Sequence, residues 1–423
     1  MFTEEYSSKM KTFQDTLIEF LQEENSSESD LSNIIRLLDK LRIRKDQGDF
    51  KLILHMLLKL SDVSTSDTSI IPKIEQILIK LKKDIKNFFS NDEIFIIFQK
   101  NKRILYILIK NKILAVNKFI ANRMINNDWF KNRKYPQFFF PEIRPFISEK
   151  EVDEISGQIP ENFEEKREIG ENDNFICKII RNDSLQKFKS LQKSNKIESL
   201  DISVEQSIFE THLLLLKNET TLIEYAAFYG SSQIFNYLMK NKVYTSNLLI
   251  LYAIHGGDQE MIHMLRENKE LLDNYYCVKT INESIKCHCN GLAKYIIKRS
   301  NLDDISNFVN TFSLKHYNFA FIQKSEISKD SFIQLCKYDY FNLVDFFINK
   351  LSQEEINKSN DIQNHNFFYK TALYSAVEKE NIEIIKLLLN NDKIDVNVPY
   401  ILILNFIKFK IIFFNGIHNQ IFQ

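Results

Sequence analysis

The stretch TALYSAVEKENIEIIKLLLNNDKIDVN, residues 371–397, recurs in weakened form through the second half of the chain, and no other feature limits the fold so sharply. Leu373, Ala376 and Val377 fall on one face of a short helix starting near Thr371; Ile384, Ile385, Leu387, Leu388 and Leu389 line a second beginning near Asn381. The same helix–turn–helix template fits TTLIEYAAFYGSSQIFNYLMKN, residues 220–241. There Thr221 opens the first helix, Ala226-Ala227 permits close helix approach, Gly230 takes the turn, and Ile234, Tyr237 and Leu238 fill the second helix. Three further stretches follow it: LLILYAIHGGDQEMIHMLREN (Ala253, Gly257, Met261, Leu265), TINESIKCHCNGLAKYIIK (Ile281, Ser284, Leu292, Ile296) and SFIQLCKYDYFNLVDFFINK (Leu335, Asp339, Leu343, Phe347). A half-unit, FICKIIRNDSLQKFKSLQKSN at 175–195, opens the series. Such units cannot bury their apolar faces alone and are stabilised by stacking, so the expected fold class is all-α, a solenoid of helix pairs.

Composition narrows the chemistry. With only eight glycines and six prolines in 423 residues, the Leu/Ile/Phe-rich stretches must be mostly helical. Neither GxxxxGK[ST] nor GxGxxG occurs, and the close pair Gly256-Gly257 runs into Asp258-Gln259-Glu260, which repels phosphate. Lys+Arg equals Asp+Glu at 56 each, so no global field draws the chain to nucleic acid or anionic membrane. Five cysteines, an odd number with no secretory signal behind Met1, indicate reduced thiols and an intracellular, cytoplasmic setting.

Residues 1–165 read as an α-helical N-terminal region, with apolar stripes such as Phe13, Leu17 and Leu21, and Ile74, Ile77, Leu78, Leu81 and Ile85. One echo ties it to the second half: IIFQKNKRILYILIKNKI (96–113) aligns without gaps on AAFYGSSQIFNYLMKNKV (226–243), placing Ile104 on Ile234, Leu108 on Leu238 and Asn111 on Asn241. Three prolines in YPQFFFPEIRPF, residues 135–146, interrupt helix and mark a boundary. Residues 398–423 form a hydrophobic tail that Lys408 and Lys410 keep too short for a membrane span; it reads as a truncated or shifted frame, or as a segment folded over the last repeat.

The sequence Thr371-Ala372-Leu373-Tyr374-Ser375-Ala376, followed by Ile384 to Leu389 and Asp395-Val396-Asn397, resembles an ankyrin repeat, with TALYSA standing for the family's TPLHxA. The resemblance is strong there and around Ala226-Ala227, extends over an array at 166–397, and is similar overall to one group of protist ankyrin proteins with a divergent helical N-terminal region. Gly230 and Gly257 lie 27 residues apart, below the ~33 of a standard repeat. The resemblance implies a non-catalytic scaffold for protein–protein interaction, with contacts from hairpin tips and first-helix surfaces around Glu224, Tyr225 and Tyr374. It implies no catalytic residue, cofactor, metal or small-molecule substrate.

Two local features suggest other chemistry. Phe98 to Lys134 carries ten Lys/Arg against Asp128 alone, while 147–174 carries ten Asp/Glu against three Lys/Arg. The blocks can pair with one another; the alternative function is peripheral binding of anionic phospholipid or nucleic acid through 98–134. Trp129 and Phe138-Phe139-Phe140 read as packing, or else as an exposed aromatic anchor. Lys286-Cys287-His288-Cys289 looks like a metal or redox motif, yet zinc sites favour Cys-x2-Cys with four converging ligands. In repeat register Cys287, His288 and Cys289 fall on Tyr229, Gly230 and Ser231, so His288 is expected in the turn, where histidine tolerates a left-handed backbone better than most.

Overall fold

The computed structural model describes residues 2–23, 27–62, 69–217, 219–266, 274–300, 302, 304–322, 331–358 and 371–395; the tail at 398–423 lies outside them. The described residues form 28 α-helices and no strand, the all-α architecture of stacked helix pairs expected from the repeats. The chain divides into two compact units, one of Met1–Gln14, Leu38–Ile53 and Ser306–Gln423, the other of Asp15–Leu37 and Leu54–Ile305.

In the larger unit, the pairs Phe175–Arg181/Leu185–Lys193, Leu222–Phe228/Ser232–Lys240, Leu249–Gly256/Gln259–Arg266 and Asn274–Lys286/Asn290–Arg299 follow one another, and successive first helices pack together. Thr221 caps its helix reciprocally with Glu224, as a Thr three residues before Glu permits. Ala226, Ala227, Ile234, Phe235, Leu238 and Ala253 are fully buried in one continuous core. Small residues let the helices meet: a Cβ on Gly256 would stand 2.1 Å from the Ala227 carbonyl oxygen and 2.9 Å from the Gly230 nitrogen.

In the smaller unit, Phe332–Lys337/Phe341–Ile348 and Ala372–Lys379/Ile382–Leu389 repeat the arrangement, with Leu335, Leu343, Ala376, Ile384 and Leu388 at zero exposure. Segments from the chain's beginning join them through polar contacts: Asn342 Nδ2 donates to Asp46 at 2.8 Å and to Asp49 at 2.7 Å, and Lys51 pairs with Asp339 at 2.6 Å.

All six helix pairs turn through a left-handed residue: Asp183 (φ 43°), Gly230 (65°), Gly257 (69°), His288 (55°), Asp339 (64°) and Glu380 (63°). In five of them the closure is of Schellman type, as in Ser231 N–H to Ala226 O at 2.9 Å, Cys289 to Ser284 at 2.9 Å and Asn381 to Ala376 at 3.0 Å, while at Gly257 the helix is closed by Gly257 N–H to Ala253 O at 3.1 Å. At three junctions the residue after the turn then reaches the carbonyl three before the turn of the preceding pair. Ser231 Oγ donates to Ile180 O at 2.6 Å, Asn381 Nδ2 donates to Cys336 O at 2.6 Å, and the Cys289 thiol points at Ile254 O from 4.0 Å.

The echo at 96–113 holds at the helix ends and departs at the turn. Asn111 and Asn241 both cap their own helices, Nδ2 to Ile107 O at 2.9 Å and to Tyr237 O at 2.7 Å, and Lys112 and Lys242 are left-handed at φ 56° and 55°. The turn into the second helix is instead made by Asn101, whose side chain accepts the Ile104 N–H at 2.9 Å as an N-cap.

Two substitutions test this packing in urea denaturation. Gly256→Ala should cost about 1–3 kcal/mol by overpacking against a backbone carbonyl, and Leu388→Asp about 3–5 kcal/mol by burying a charge between helices. Wild-type midpoints for either variant would remove that unit from the packed stack.

Candidate functional site

The hairpin tip between Ser232–Lys240 and Leu249–Gly256 presents Tyr244, 74% exposed, on a backbone tied down from both sides. The Tyr244 N–H donates to Asp201 Oδ1 at 2.6 Å. The base of the Asp201 loop is pinned in turn by Val204 N–H to Thr220 O at 2.7 Å and Leu222 N–H to Ile202 O at 3.2 Å. A large ring with one polar end, held outward on fixed backbone, loses little entropy on contact, which is why tyrosine dominates protein interfaces.

The first-helix candidates lie elsewhere. Glu224 is buried: it caps its own helix and accepts from Ser246 Oγ at 2.9 Å. Tyr225 is fully buried, its hydroxyl accepting from Arg181 Nη1 at 2.6 Å, and burial pushes that hydroxyl well above its ordinary pKa. Both positions face neighbouring segments and neither is available to a partner. Tyr374 is half-buried at the N-terminal end of Ala372–Lys379.

The aromatic cluster packs internally. Phe138 and Phe139 are fully buried, and Trp129 lies edge-on to Phe130 at 4.9 Å with the Arg133 guanidinium 4.3 Å from its ring. The basic block is partly consumed as well. Lys102 is fully buried, donating to Ile208 O at 2.9 Å and Glu210 O at 3.0 Å, and burial lowers its ammonium to about 7. Arg103 donates to Arg167 O at 3.2 Å, and Lys110 pairs with Glu168 from the acidic block.

The Cys-His-Cys motif separates into three roles. His288 occupies the left-handed turn position, and both its ring nitrogens are buried without a hydrogen-bond partner among the described residues. Burial, only weakly opposed by Asp15, pulls its pKa down to about 4. Cys289 stands where Ser231 and Asn381 bridge to the preceding pair. Cys287 points inward and meets a histidine from the preceding pair: its Sγ lies 3.5 Å from His255 Nε2 and 3.7 Å from Nδ1. His255, fully buried, donates from Nε2 to Glu283 Oε1 at 2.7 Å, and Lys286 Nζ donates to the same oxygen at 2.8 Å. Burial pushes the Cys287 thiol well above its usual range and, against the Glu283 hydrogen bond, lowers His255. Burial also works against the Glu283 carboxylate, yet Lys286 and His255 hold it well below the usual range. A thiol about equally distant from both ring nitrogens and buried in its neutral form is not poised as a nucleophile.

In the smaller unit a cleft of about 630 Å³ is lined by residues including Tyr6, Lys9, Arg42, Asp46, Asp345 and Phe346. Its charges are mixed in sign, and it contains no histidine or thiol. Among the described residues no helix is long and apolar enough to cross a membrane.

The ankyrin repeat family model matches residues 369–400, which contain the last described helix pair. No curated protein and no solved structure matches the chain.

His288 makes the turn pH-sensitive. Its folded pKa of about 4 lies below the ordinary 6.5, so between these values the unfolded chain binds a proton that the folded chain refuses. Stability therefore falls as pH drops through that window. Because glycine accepts the left-handed turn, His288→Gly should fold at pH 7 and lose less stability than wild type between pH 7 and about 4. Parallel urea-midpoint profiles for the two proteins would refute this assignment.

Proposed function

We propose that the chain is a non-catalytic protein–protein interaction scaffold, in which the ankyrin repeat at 369–400 is the most regular member of a divergent array. In this reading the array spans 166–397, a helical region at 1–165 precedes it, and the protein belongs with the protist ankyrin proteins it resembles, acting inside the cell with its thiols reduced. Support comes from the shared left-handed turn in all six helix pairs, since one recurring backbone solution is what a repeat family imposes on diverged side chains. The observation that carries the interaction reading is Tyr244, an exposed aromatic on the anchored tip where such repeats meet partners. The partner is another protein. Binding of anionic phospholipid or nucleic acid through 98–134 has less support, because Lys102, Arg103 and Lys110 are already engaged within the fold.

Affinity capture from the native cell, comparing full-length wild type with Tyr244→Ala, tests the reading. As an interface anchor Tyr244 should contribute ~2 kcal/mol, a roughly thirtyfold loss of partner affinity, with thermal unfolding unchanged because the side chain is exposed. Equal capture by both proteins removes Tyr244 from the interface. Steeply salt-dependent binding to anionic vesicles or RNA would favour the charge-based alternative instead.

A further inference from the structure

The search for chemistry beyond a docking surface leads back to the junction between the pairs at 249–266 and 274–299. We propose that His255, Glu283 and Cys287 form a buried site for a borderline-soft divalent metal ion of the zinc type, bound by one imidazole nitrogen, one carboxylate oxygen and one thiolate. The donor atoms of all three lie within 4.8 Å of one another, and the three residues come from two successive helix pairs.

The nitrogen–sulfur spacing is what the ion requires, and the carboxylate must adjust to it, since the three donors fall within 4.8 Å where tetrahedral coordination sets each pair about 3.4–3.6 Å apart. With Zn–N near 2.1 Å and Zn–S near 2.3 Å, tetrahedral coordination separates nitrogen and sulfur by about 3.6 Å; Cys287 Sγ stands 3.5 Å from His255 Nε2. The Nε2 to Oε1 separation of 2.7 Å is a hydrogen bond and must open by about 0.7 Å to the ~3.4 Å of tetrahedral ligands, an ion replacing the shared proton. The imidazole is neutral, so moving its proton to Nδ1 frees Nε2 without changing its charge. The thiol proton leaves to solvent as the metal–sulfur bond forms, so one proton is released per ion bound. The thiolate and the Glu283 carboxylate balance the divalent ion, and Lys286, which had shared Oε1, is left to the carboxylate's second oxygen and to the field of Asp62. The donor set, one soft and two borderline or hard ligands, disfavours calcium and magnesium, which take oxygen ligands almost exclusively. The fourth tetrahedral position falls to one bound water, while Ile250 and Ile254 shield the site from bulk solvent. Since the site is sealed within a repeat junction, the ion enters as the chain folds. This inference is independent of the interaction reading, because it concerns a junction and not the exposed tip.

The experiment is cobalt substitution in the full-length chain, refolded with Co2+ under reducing conditions and freed of excess ion. The expected result is one Co2+ per chain with a thiolate-to-cobalt charge-transfer band, and displacement of the band by one equivalent of Zn2+. Cys287→Ala should abolish the band. His255→Phe, which installs the residue found at the equivalent Phe228, should fold and bind the ion at least about tenfold more weakly. Cys336→Ala, outside the site, should retain both band and stoichiometry. Absence of the band in a wild-type chain shown to be folded by circular dichroism would overturn the proposal, as would a band that survives in Cys287→Ala.

Discussion

The six repeat helix pairs described depend on one backbone event, the passage of a single residue through the left-handed region between the two helices. In five of the six that passage closes the first helix with a hydrogen bond reaching back five residues, and in each it aims the second helix away from the first. It also leaves the carbonyl three residues before the turn with a free lone pair at the surface of the pair. The next pair supplies the donor from the residue after its own turn: serine at 231, asparagine at 381, and a weak thiol at 289. The turn thus sets both the fold of each unit and the register of the stack.

The exception follows the same logic. At the junction of the second and third pairs the residue after the turn is Asp258, an acceptor when ionised and unable to donate to the Ala227 carbonyl. Gly256 instead brings the backbone itself close, leaving no room for a Cβ beside that oxygen. Asp258 turns to accept from the Ser232 hydroxyl. Two different chemistries hold the same helix spacing, one by a side-chain bridge and one by the absence of a side chain.

The helix pairs, the buried faces and the turn at His288 were legible in the sequence because each is written locally, in apolar spacing and turn position. The site was much less so. Glu224 and Tyr225 carry polar groups but sit where a first helix meets neighbouring segments, and residue type alone cannot distinguish a satisfied buried hydroxyl from an exposed one. Tyr244 lies outside both helices, where periodicity says nothing; its place just past Asn241, at the end of the second helix, was the signal the sequence offered. The contacts of Asp46 and Asp49 with Asn342 join residues nearly 300 apart and have no local signature at all. The meeting of Cys287 with His255 is intermediate. Lying one repeat apart, it becomes visible once both units are placed in register, two residues before one turn and one residue before the next.

That register also explains why degenerate repeats are not interchangeable. The position two before the turn is Phe228 in one pair, His255 in the next and Lys286 in the one after, passing from apolar to neutral polar to cationic at constant burial of the surrounding core. An apolar side chain packs against any neighbour of suitable volume, whereas His255 and Lys286 both require the Glu283 carboxylate, and Glu283 requires them. Exchange the pair at 249–266 for a more regular repeat and the buried Glu283 carboxylate loses His255, at a cost of about 1–3 kcal/mol for an unmet buried hydrogen-bond partner. Loss of the consensus therefore adds information: a junction of identical repeats could form between any two copies, while this one is specified by the hydrogen bond that His255 makes across it to Glu283.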